Sequence, residues 1–273
     1  MSETPPSSPH TPAPIHHTVL VLSGKGGVGK STVAANLAAE LARRHRHVGL
    51  LDIDIHGPSI PRLLGLGGQS PELDEETLLP VRRGEYLGVI SFGFFLADSD
   101  QAIVWRGPMK MGAIRQLLHN VRWGELDYLI VDCPPGTGDE PLTVAQSLPD
   151  LDGALVVTTP QAVALQDVRR SISFCRQLGV RVLGVIENMA GLVCQHCGEE
   201  TPIFPGAGAE AMAEEMQVPY LARLPLEPAV ATASDNGRPV VEEHPDSATA
   251  SGLRRVAEML LTLDVEDPEA SGG

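Results

Sequence analysis

The sequence predicts an α/β fold, a doubly wound and mostly parallel sheet with helices on both faces. Two observations lead to this prediction. Segments typical of strands alternate with segments typical of amphipathic helices along most of the chain, which is the order that a parallel sheet with crossover helices requires. The strand segments are almost continuously apolar, as expected for strands that are covered on both faces. We expect a single domain of this kind over residues 17–264.

Each predicted element has its own pattern. Residues 17–24 are an apolar run that ends in glycine, which is typical of a first strand. Residues 30–45 carry Val33, Leu37 and Leu41 at helical spacing, so we expect a helix with these residues on one face. The remaining predicted strands are residues 47–54, 87–94, 126–135, 153–160 and 180–189, and the remaining helices are residues 111–121, 163–179 and 252–263.

Both ends of the chain are predicted to be disordered tails. Residues 1–16 are rich in proline, serine and threonine, and residues 265–273 are acidic and polar. His16 and His17 stand where this first tail meets the domain. A solvated position is expected for both, and contact with a metal is the alternative.

Composition and charge limit the possible partners. Lysine and arginine number 20 against 35 aspartate and glutamate residues, which gives a net charge of −15. Such a chain is a poor candidate for binding DNA or anionic membranes through its overall field. The sequence has no apolar run of membrane length and no leader with a basic start. We therefore expect a cytoplasmic protein with no DNA and no membrane partner.

A glycine-rich loop follows the first predicted strand. Residues 24–32, GKGGVGKST, fit the spacing G-x-x-x-x-G-K-[ST] of a phosphate-binding loop. Backbone N–H groups and the helix N-terminus would face the phosphates, Lys30 would neutralise them, and Ser31 would ligate Mg²⁺. A turn without a ligand is the alternative, and the lysine and serine in register argue against it. The predicted ATP-binding residues here are Gly24, Lys25, Gly26, Gly27, Val28, Gly29, Lys30, Ser31 and Thr32.

Polar residues at three other strand ends are predicted to complete the site. Asp132 ends an apolar strand and is expected in the magnesium shell, and Gly136 after it is expected to sense the γ-phosphate. Asp54 is the candidate for orienting the attacking water, with turn capping as the alternative, while Asp52 is expected to hold the site together. Asn188 is expected to end its strand and bind adenine, or else to form a turn.

These motifs carry a family resemblance. KGGVGKST resembles the deviant Walker A motif of the MinD/ParA class of P-loop NTPases, the SIMIBI type. DIDIHGPSIPRLLG, VWRGPM, WGELDYLIVDCPPGTGDEPLT, VVTTPQAVALQDVRR, GVIENMAG and CQHCG are similar to segments of the Mrp/ApbC family of iron–sulfur cluster carrier ATPases. The resemblance spans about residues 18–240. It implies ATP and Mg²⁺ as cofactors, a [4Fe–4S] cluster, and both a cluster donor and apo iron–sulfur proteins as partners.

The resemblance also gives Lys25 a role. In the MinD/ParA class the early lysine reaches across a twofold axis to the nucleotide of the partner, so Lys25 implies a homodimer. A cation supplied in this way stabilises the charge that develops on the transferred phosphate. The catalytic residues expected on this basis are Lys25, Lys30 and Asp54. Arg106 could contact the partner or the nucleotide, or cap a turn.

Cys194 and Cys197 form a C-x-x-C pair that is expected in a loop after the strand that ends at Asn188. Two thiolates at this spacing can face one metal but do not complete a four-coordinate site. Cys175, on a helix face, and Cys133, after Asp132, are expected to be packed in the core. The spacing alone leaves zinc, an iron–sulfur cluster and a redox pair open. The family resemblance implies a [4Fe–4S] cluster that bridges two chains.

The leading functional hypothesis is an ATP-dependent iron–sulfur cluster carrier. The alternative is a MinD/ParA-type positioning ATPase with a zinc-bridged dimer, and the net charge of −15 argues against DNA as its partner. Such an ATPase needs a membrane helix or a DNA-binding surface. The last predicted helix has only two basic residues and an apolar stripe, which indicates packing on the core. That stripe consists of Leu253, Val256, Leu260 and Leu263.

Overall fold

The computed structural model describes residues 13–75, 77–95, 107–148, 150–194, 196–205 and 208–266. The strands are β1 Ile15–Ser23, β2 Val48–Asp52, β3 Glu72–Asp74, β4 Thr77–Leu79, β5 Val81–Arg83, β6 Leu87–Ser91, β7 Leu126–Asp132, β8 Leu151–Thr158, β9 Val182–Val193, β10 Glu200–Thr201 and β11 Tyr220–Leu226. The helices are α1 Lys30–Arg43, α2 Ile60–Leu63, α3 Gly107–His119, α4 Asp139–Ser147, α5 Ala162–Gln177, α6 Gly208–Glu215, α7 Pro228–Asp235, α8 Val240–Glu243, α9 Ala248–Leu260 and α10 Leu263–Glu266.

The sheet confirms the predicted α/β architecture. Its strand order is β10-β9-β8-β1-β7-β2-β6-β5, and β11 pairs with β9. The pairs between β1, β2, β6, β7, β8, β9 and β11 are parallel, whereas β5 and β10 are antiparallel additions at the two sides. Asp132 of β7 lies in register with Val21 of β1 and with Asp52 of β2. This register brings the loop after β1 and the acids that end β2 and β7 to one edge of the sheet.

Helices cover both faces of the sheet. Val19 and Val21 of β1 share a core with α1 and α9, and Leu20 and Leu22 share another core with α3 and α4. The alternation follows from the pleat, which points successive side chains to opposite faces. The predicted faces of two helices are buried as expected: Val33, Leu37 and Leu41 of α1, and Leu253, Val256 and Leu260 of α9. Helix α9, which is the last helix predicted from the sequence, therefore packs on the core.

The start of the domain differs from the prediction. β1 begins at Ile15, so residues 15 and 16 belong to the sheet and not to the tail. His17 is also not solvated, because it is 3% exposed and its Nδ1 lies 2.9 Å from Oδ1 of Asp152. The expected solvated position was wrong because Asp152 is distant in sequence and only the β1–β8 pairing brings it close. Residues 1–12 and 267–273 of the predicted tails, and Arg106, lie outside the described residues.

The strand that was expected to end at Asn188 is longer than predicted. β9 continues to Val193, so Asn188 lies inside the strand. Met189 has a left-handed φ of 55°, and the register of β9 with β11 shifts between Asn188 and Leu192. The sequence suggested an end at this point because asparagine is frequent in turns. The pairing of β9 with β10 and β11 overrides that signal. Among the described helices, none combines the length and apolar character that crossing a membrane demands.

Candidate functional site: a nucleotide cavity and a cysteine hairpin

The loop between β1 and α1 is shaped by glycines. Gly27 and Gly29 have φ values of 81° and 85°, in the left-handed region that glycine adopts without strain. A Cβ on Gly29 would also lie 2.2 Å from Nδ2 of Asn188. That amide nitrogen donates a hydrogen bond of 2.9 Å to the carbonyl of Val28. Asn188 therefore supports the loop through a hydrogen bond that uses its amide nitrogen.

We expect Gly29→Ala to lower the free energy of unfolding by about 1–3 kcal/mol, because alanine is strained at this φ and would push Asn188 off Val28. Denaturation in urea without nucleotide measures the effect. Gly26→Ala is the matched control, since a Cβ there would have no neighbour within 4 Å and the backbone needs no positive φ. Equal losses in both variants would contradict the assigned role of Gly29.

A cavity of about 380 Å³ opens on this loop. One wall consists of loop and helix residues from Ser23 to Thr32, among them Gly26, Gly27, Gly29, Lys30 and Ser31. The segment after β2 forms the opposite wall with Asp54, His56, Gly57 and Ser59, and Pro135 completes the lining. The cavity thus brings together most of the residues predicted from the loop motif and adds His56 and Ser59. Those two follow Asp54 in the same loop, and this was their only signal in the sequence.

Three carboxylates surround one buried ammonium beneath the cavity. Nζ of Lys30 lies 2.5 Å from Oδ1 of Asp132 and 3.9 Å from Oδ2 of Asp54. Burial lowers the pKa of Lys30, but the charge and hydrogen bond of Asp132, with the charges of Asp52 and Asp54, outweigh it and raise that pKa. The lysine is therefore held as a cation. Three acids around one cation leave an excess of negative charge when all are ionised.

Asp52 is fully buried at the end of β2, as expected for a residue that holds the site together. Its carboxylate accepts hydrogen bonds from Ser91 Oγ at 2.7 Å and from the backbone N–H of Asp54 at 3.1 Å. Burial, together with the charge of Asp132, raises the pKa of Asp52 to about 8, although Ser91 and Lys30 act in the opposite direction. At neutral pH this carboxyl is thus largely protonated, which relieves part of the negative charge.

The residues present fit a magnesium ion. Oδ2 of Asp132 is buried and has no hydrogen-bond partner within the described part of the chain. The Ser31 hydroxyl lies 3.4 Å from the same ammonium that contacts the other oxygen of Asp132. A carboxylate oxygen and a hydroxyl oxygen are ligands that Mg²⁺ accepts, and a divalent cation would balance the excess of acids.

Asp54 caps its turn and also lines the cavity. Its Oδ1 accepts a hydrogen bond of 3.2 Å from the backbone N–H of His56, which caps the turn, and its side chain is also part of the cavity wall. Capping therefore fixes the orientation of a carboxylate that faces the nucleotide cavity.

Lys25 and Gly136 make contacts inside their own chain. Nζ of Lys25 donates a hydrogen bond of 2.9 Å to Oε1 of Gln161, which precedes α5. The N–H of Gly136 donates to the carbonyl of Ser23 at 2.8 Å, and Gly136 has a φ of 95°. Both groups must leave these partners before they can contact a phosphate. Gly24 does not line the cavity but packs against Asp167, from which a Cβ would be only 2.5 Å away.

The C-x-x-C pair lies at the tip of a hairpin and not in a loop that begins after Asn188. Cys194 directly follows β9, and its N–H donates to the carbonyl of Glu199 at 2.9 Å, while its carbonyl accepts from Gly198 at 2.8 Å. Backbone N–H groups of Cys197 and His196 hydrogen-bond to the Cys194 sulfur and lower its pKa. Cys197 is exposed and Cys194 is half-buried. The pair therefore offers one stabilised thiolate and a second accessible thiol.

The other two cysteines are buried, as expected. Burial raises the pKa of Cys175 to about 11 and raises the pKa of Cys133 further. Across the described ranges, no group of three or more histidine, cysteine, aspartate or glutamate residues could hold a metal ion. Two thiols of one hairpin are therefore the accessible sulfur ligands that the described part of one chain provides.

The chain was compared with protein families, curated proteins and solved structures. The family model ParA, described as NUBPL iron-transfer P-loop NTPase, matches residues 14–261. A protein of Culex quinquefasciatus named "Cytosolic Fe-S cluster assembly factor NUBP2 homolog" is 49% identical over 250 residues, which are 90% of this chain and 97% of that protein. The Bos taurus protein named "Cytosolic Fe-S cluster assembly factor NUBP2" is 45% identical over 260 residues, 94% of this chain and 96% of its own. Both relatives are named as cytosolic, in agreement with the expected location.

Solved structures of nucleotide-binding proteins are also similar to this chain. A nucleotide-binding protein of Archaeoglobus fulgidus in complex with ADP is 41% identical, with a TM-score of 0.74 over 85% of this chain and 90% of that one. The cell division ATPase MinD of Pyrococcus furiosus has a TM-score of 0.68 over 91% of this chain and 100% of its own, and at 24% identity it shows the fold alone. The family match covers nearly the whole described domain and agrees with the loop and cavity. The chain therefore belongs to the ParA family of NUBPL iron-transfer P-loop NTPases.

Proposed function

We propose that this chain is an ATP-binding and hydrolysing iron–sulfur cluster carrier, which holds a [4Fe–4S] cluster between two copies and transfers it to apo-proteins. One observation carries the proposal: a single strand connects the two halves of the site. Asn188 of β9 contacts the phosphate-binding loop at Val28, and Cys194 follows the end of the same strand. The names of the relatives, which are iron–sulfur cluster assembly factors, support the same cargo.

The nucleotide half of the site is suited to a triphosphate. The ammonium of Lys30, which contacts Asp132, would turn to the β- and γ-phosphates. Gly26, Gly27 and Gly29 line the same cavity, and their N–H groups would bind phosphate oxygens. Ser31 and Asp132 would hold Mg²⁺, which when bound supplies positive charge to the phosphate oxygens. Thr32 would reach the α-phosphate. The ADP bound to the Archaeoglobus fulgidus relative supports a nucleotide as the ligand.

Hydrolysis is assigned to residues on both sides of the cavity. Asp54, whose carboxylate is fixed by the His56 N–H, would orient the water that attacks the γ-phosphate. Lys25 would leave Gln161 and contact the nucleotide of the second copy, which adds a cation to the developing phosphate charge. Gly136 would exchange its bond to Ser23 for a bond to the γ-phosphate. The amide nitrogen of Asn188 donates to Val28, and its amide oxygen would accept a hydrogen bond from the adenine.

The cysteine hairpin would hold the iron–sulfur cluster that is transferred. Four thiolates are needed for a [4Fe–4S] cluster, and Cys194 and Cys197 of two copies provide four. The lowered pKa of Cys194 favours the thiolate that iron requires. A cluster shared by two chains loses half of its ligands when the chains separate. Nucleotide-dependent changes in the loop could reach the cysteines through β9, since Asn188 lies six positions before Cys194.

We expect anaerobic reconstitution with iron and sulfide to load about four irons per dimer. The loaded protein should show a broad absorption band at about 400 nm. Cys194→Ala/Cys197→Ala should lose both the band and the iron, because the accessible thiols are gone. Cys175→Ala is the matched control, since that thiol is buried and should not matter. Iron, sulfide and zinc are counted in each sample. Bound zinc without a cluster would refute the carrier and favour the positioning ATPase.

A further inference from the structure

Lysine is rare in this chain, and each lysine lies in the phosphate-binding loop or contacts a residue of the cavity wall. Of 20 basic residues, only Lys25, Lys30 and Lys110 are lysines, and all the others are arginines. Lys25 and Lys30 belong to the phosphate-binding loop. Lys110 lies on α3, far from that loop in sequence, yet it contacts a residue of the cavity wall. Lys110 is therefore a third lysine next to the nucleotide cavity.

Lys110 is held between the cavity wall and helix α4. Its Nζ lies 2.8 Å from Nε2 of His56 and 3.9 Å from Oε1 of Glu140. The side chain is only 16% exposed, although the preceding residue on the helix, Met109, is 59% exposed. An ammonium has hydrogens to donate and no lone pair, so Nε2 of His56 is the acceptor and Nδ1 carries the imidazole proton.

His56 connects this cation to Asp54. The backbone N–H of His56 donates to Oδ1 of Asp54, and the side chain of His56 lines the cavity. Glu140 lies in the first turn of α4, which follows the segment that carries Gly136. Lys110 therefore joins the loop of the proposed water-orienting carboxylate to the helix behind the proposed γ-phosphate sensor.

We propose that Lys110 is a positioning residue of the nucleotide cavity. It holds His56, and with it the loop that carries Asp54, in a fixed relation to α4, so that loop and helix respond together when ATP binds. The residue acts through His56 and does not itself line the cavity. This inference rests on the proposed ATP hydrolysis, and it adds a role for a residue outside the recognised motifs.

Lys110→Met tests the proposal. We expect the kcat for ATP hydrolysis to fall about 10-fold or more, because a misplaced Asp54 loop no longer aligns the attacking water. The affinities for ATP and ADP should stay within about twofold, since the phosphate-binding loop is untouched. Hydrogen–deuterium exchange supplies a readout besides activity: ATP should protect residues 53–60 in the unchanged chain and no longer in the variant. Lys110→Arg, which restores a cationic donor, should recover most of the rate.

Two further variants make the result specific. Arg115→Met removes a cation from the exposed face of the same helix and should change neither rate nor protection. His56→Phe, which keeps a ring but has no acceptor for the Lys110 ammonium, should resemble Lys110→Met. The double variant should be no slower than either single one, because both break the same connection.

Three outcomes would overturn the inference. These are an unchanged rate and protection in Lys110→Met, an equal loss of nucleotide affinity and rate, and additive effects of Lys110→Met and His56→Phe. If the unchanged chain binds ATP but does not hydrolyse it, the proposed hydrolysis fails, and the exchange experiment still decides the role of Lys110.

Discussion

Lys30→Met is expected to abolish ATP hydrolysis and cluster transfer while leaving cluster loading largely intact. The ammonium of Lys30 belongs to the loop and contacts both Asp132 and Asp54, so its loss should lower hydrolysis about 100-fold or more. The cysteine hairpin lies outside the cavity and keeps its thiols. Anaerobic loading, ATPase assays and transfer to an apo iron–sulfur protein measure the three properties on one preparation. Normal transfer by this variant would refute the coupling between nucleotide and cluster.

The same substitution should also destabilise the protein without nucleotide. Lys30 is 6% exposed and Asp132 is fully buried, so the variant leaves a buried carboxylate without its cation. Breaking a buried pair in this way costs about 3–5 kcal/mol. Ser31→Ala separates the two effects: it removes a proposed magnesium ligand but keeps the ion pair, so hydrolysis should fall while the free energy of unfolding changes by less than about 1 kcal/mol. Equal destabilisation by both variants would contradict the assigned ion pair.

Asp52→Asn is expected to stabilise the nucleotide-free protein at alkaline pH. The folded-state pKa of about 8 lies above the ordinary value of 3.8, so the folded state holds a proton that the unfolded chain releases. The stabilisation from this proton is fully present below the unfolded pKa and is lost as pH rises towards 8. The free energy of unfolding should therefore fall by on the order of 3 kcal/mol between about pH 5 and pH 8, and by less in the variant.

The amide of the variant can keep both existing contacts. Its oxygen can accept from the Asp54 N–H, and its NH₂ group can donate to Ser91, whose hydroxyl turns to accept. Ser91→Ala changes the pH dependence in the other direction. Ser91 favours the charged carboxylate, so its loss should raise the pKa of Asp52 and steepen the decline at high pH. Urea unfolding at several pH values, with chelator and no nucleotide, measures all three proteins. Parallel pH profiles would show that Asp52 is not the group responsible.

Much of the nucleotide site could be predicted because its residues are neighbours in sequence. The spacing of Gly24, Gly29, Lys30 and Ser31 specifies a loop between a strand and a helix, and backbone geometry makes such a loop a local structure. Asp132 and Asp54 could be added because parallel strands place their carboxyl ends at one edge of the sheet. The burial of Cys175 could be predicted from its position on an apolar helix face, and that of Cys133 from its place after Asp132 at the end of a buried strand.

The contacts that tune the site could not be predicted from the sequence. His17 meets Asp152, Lys25 meets Gln161, and Asn188 meets Val28 only after the strands pair and the helices pack. The extension of β9 to Val193 was missed for a similar reason, since pairing with β10 and β11 outweighs the local turn signal at Asn188.

The sequence by itself determined the α/β fold, the phosphate-binding loop and the C-x-x-C pair, because each depends on local spacing or on apolar periodicity. Only the tertiary structure decided which acids share the charge of Lys30, that Asp52 holds a proton, and that Lys110 reaches His56 from another helix. These properties depend on burial and on distances between segments that are remote in the chain. Desolvation and charge–charge energies change steeply with such distances, and sequence spacing does not specify them.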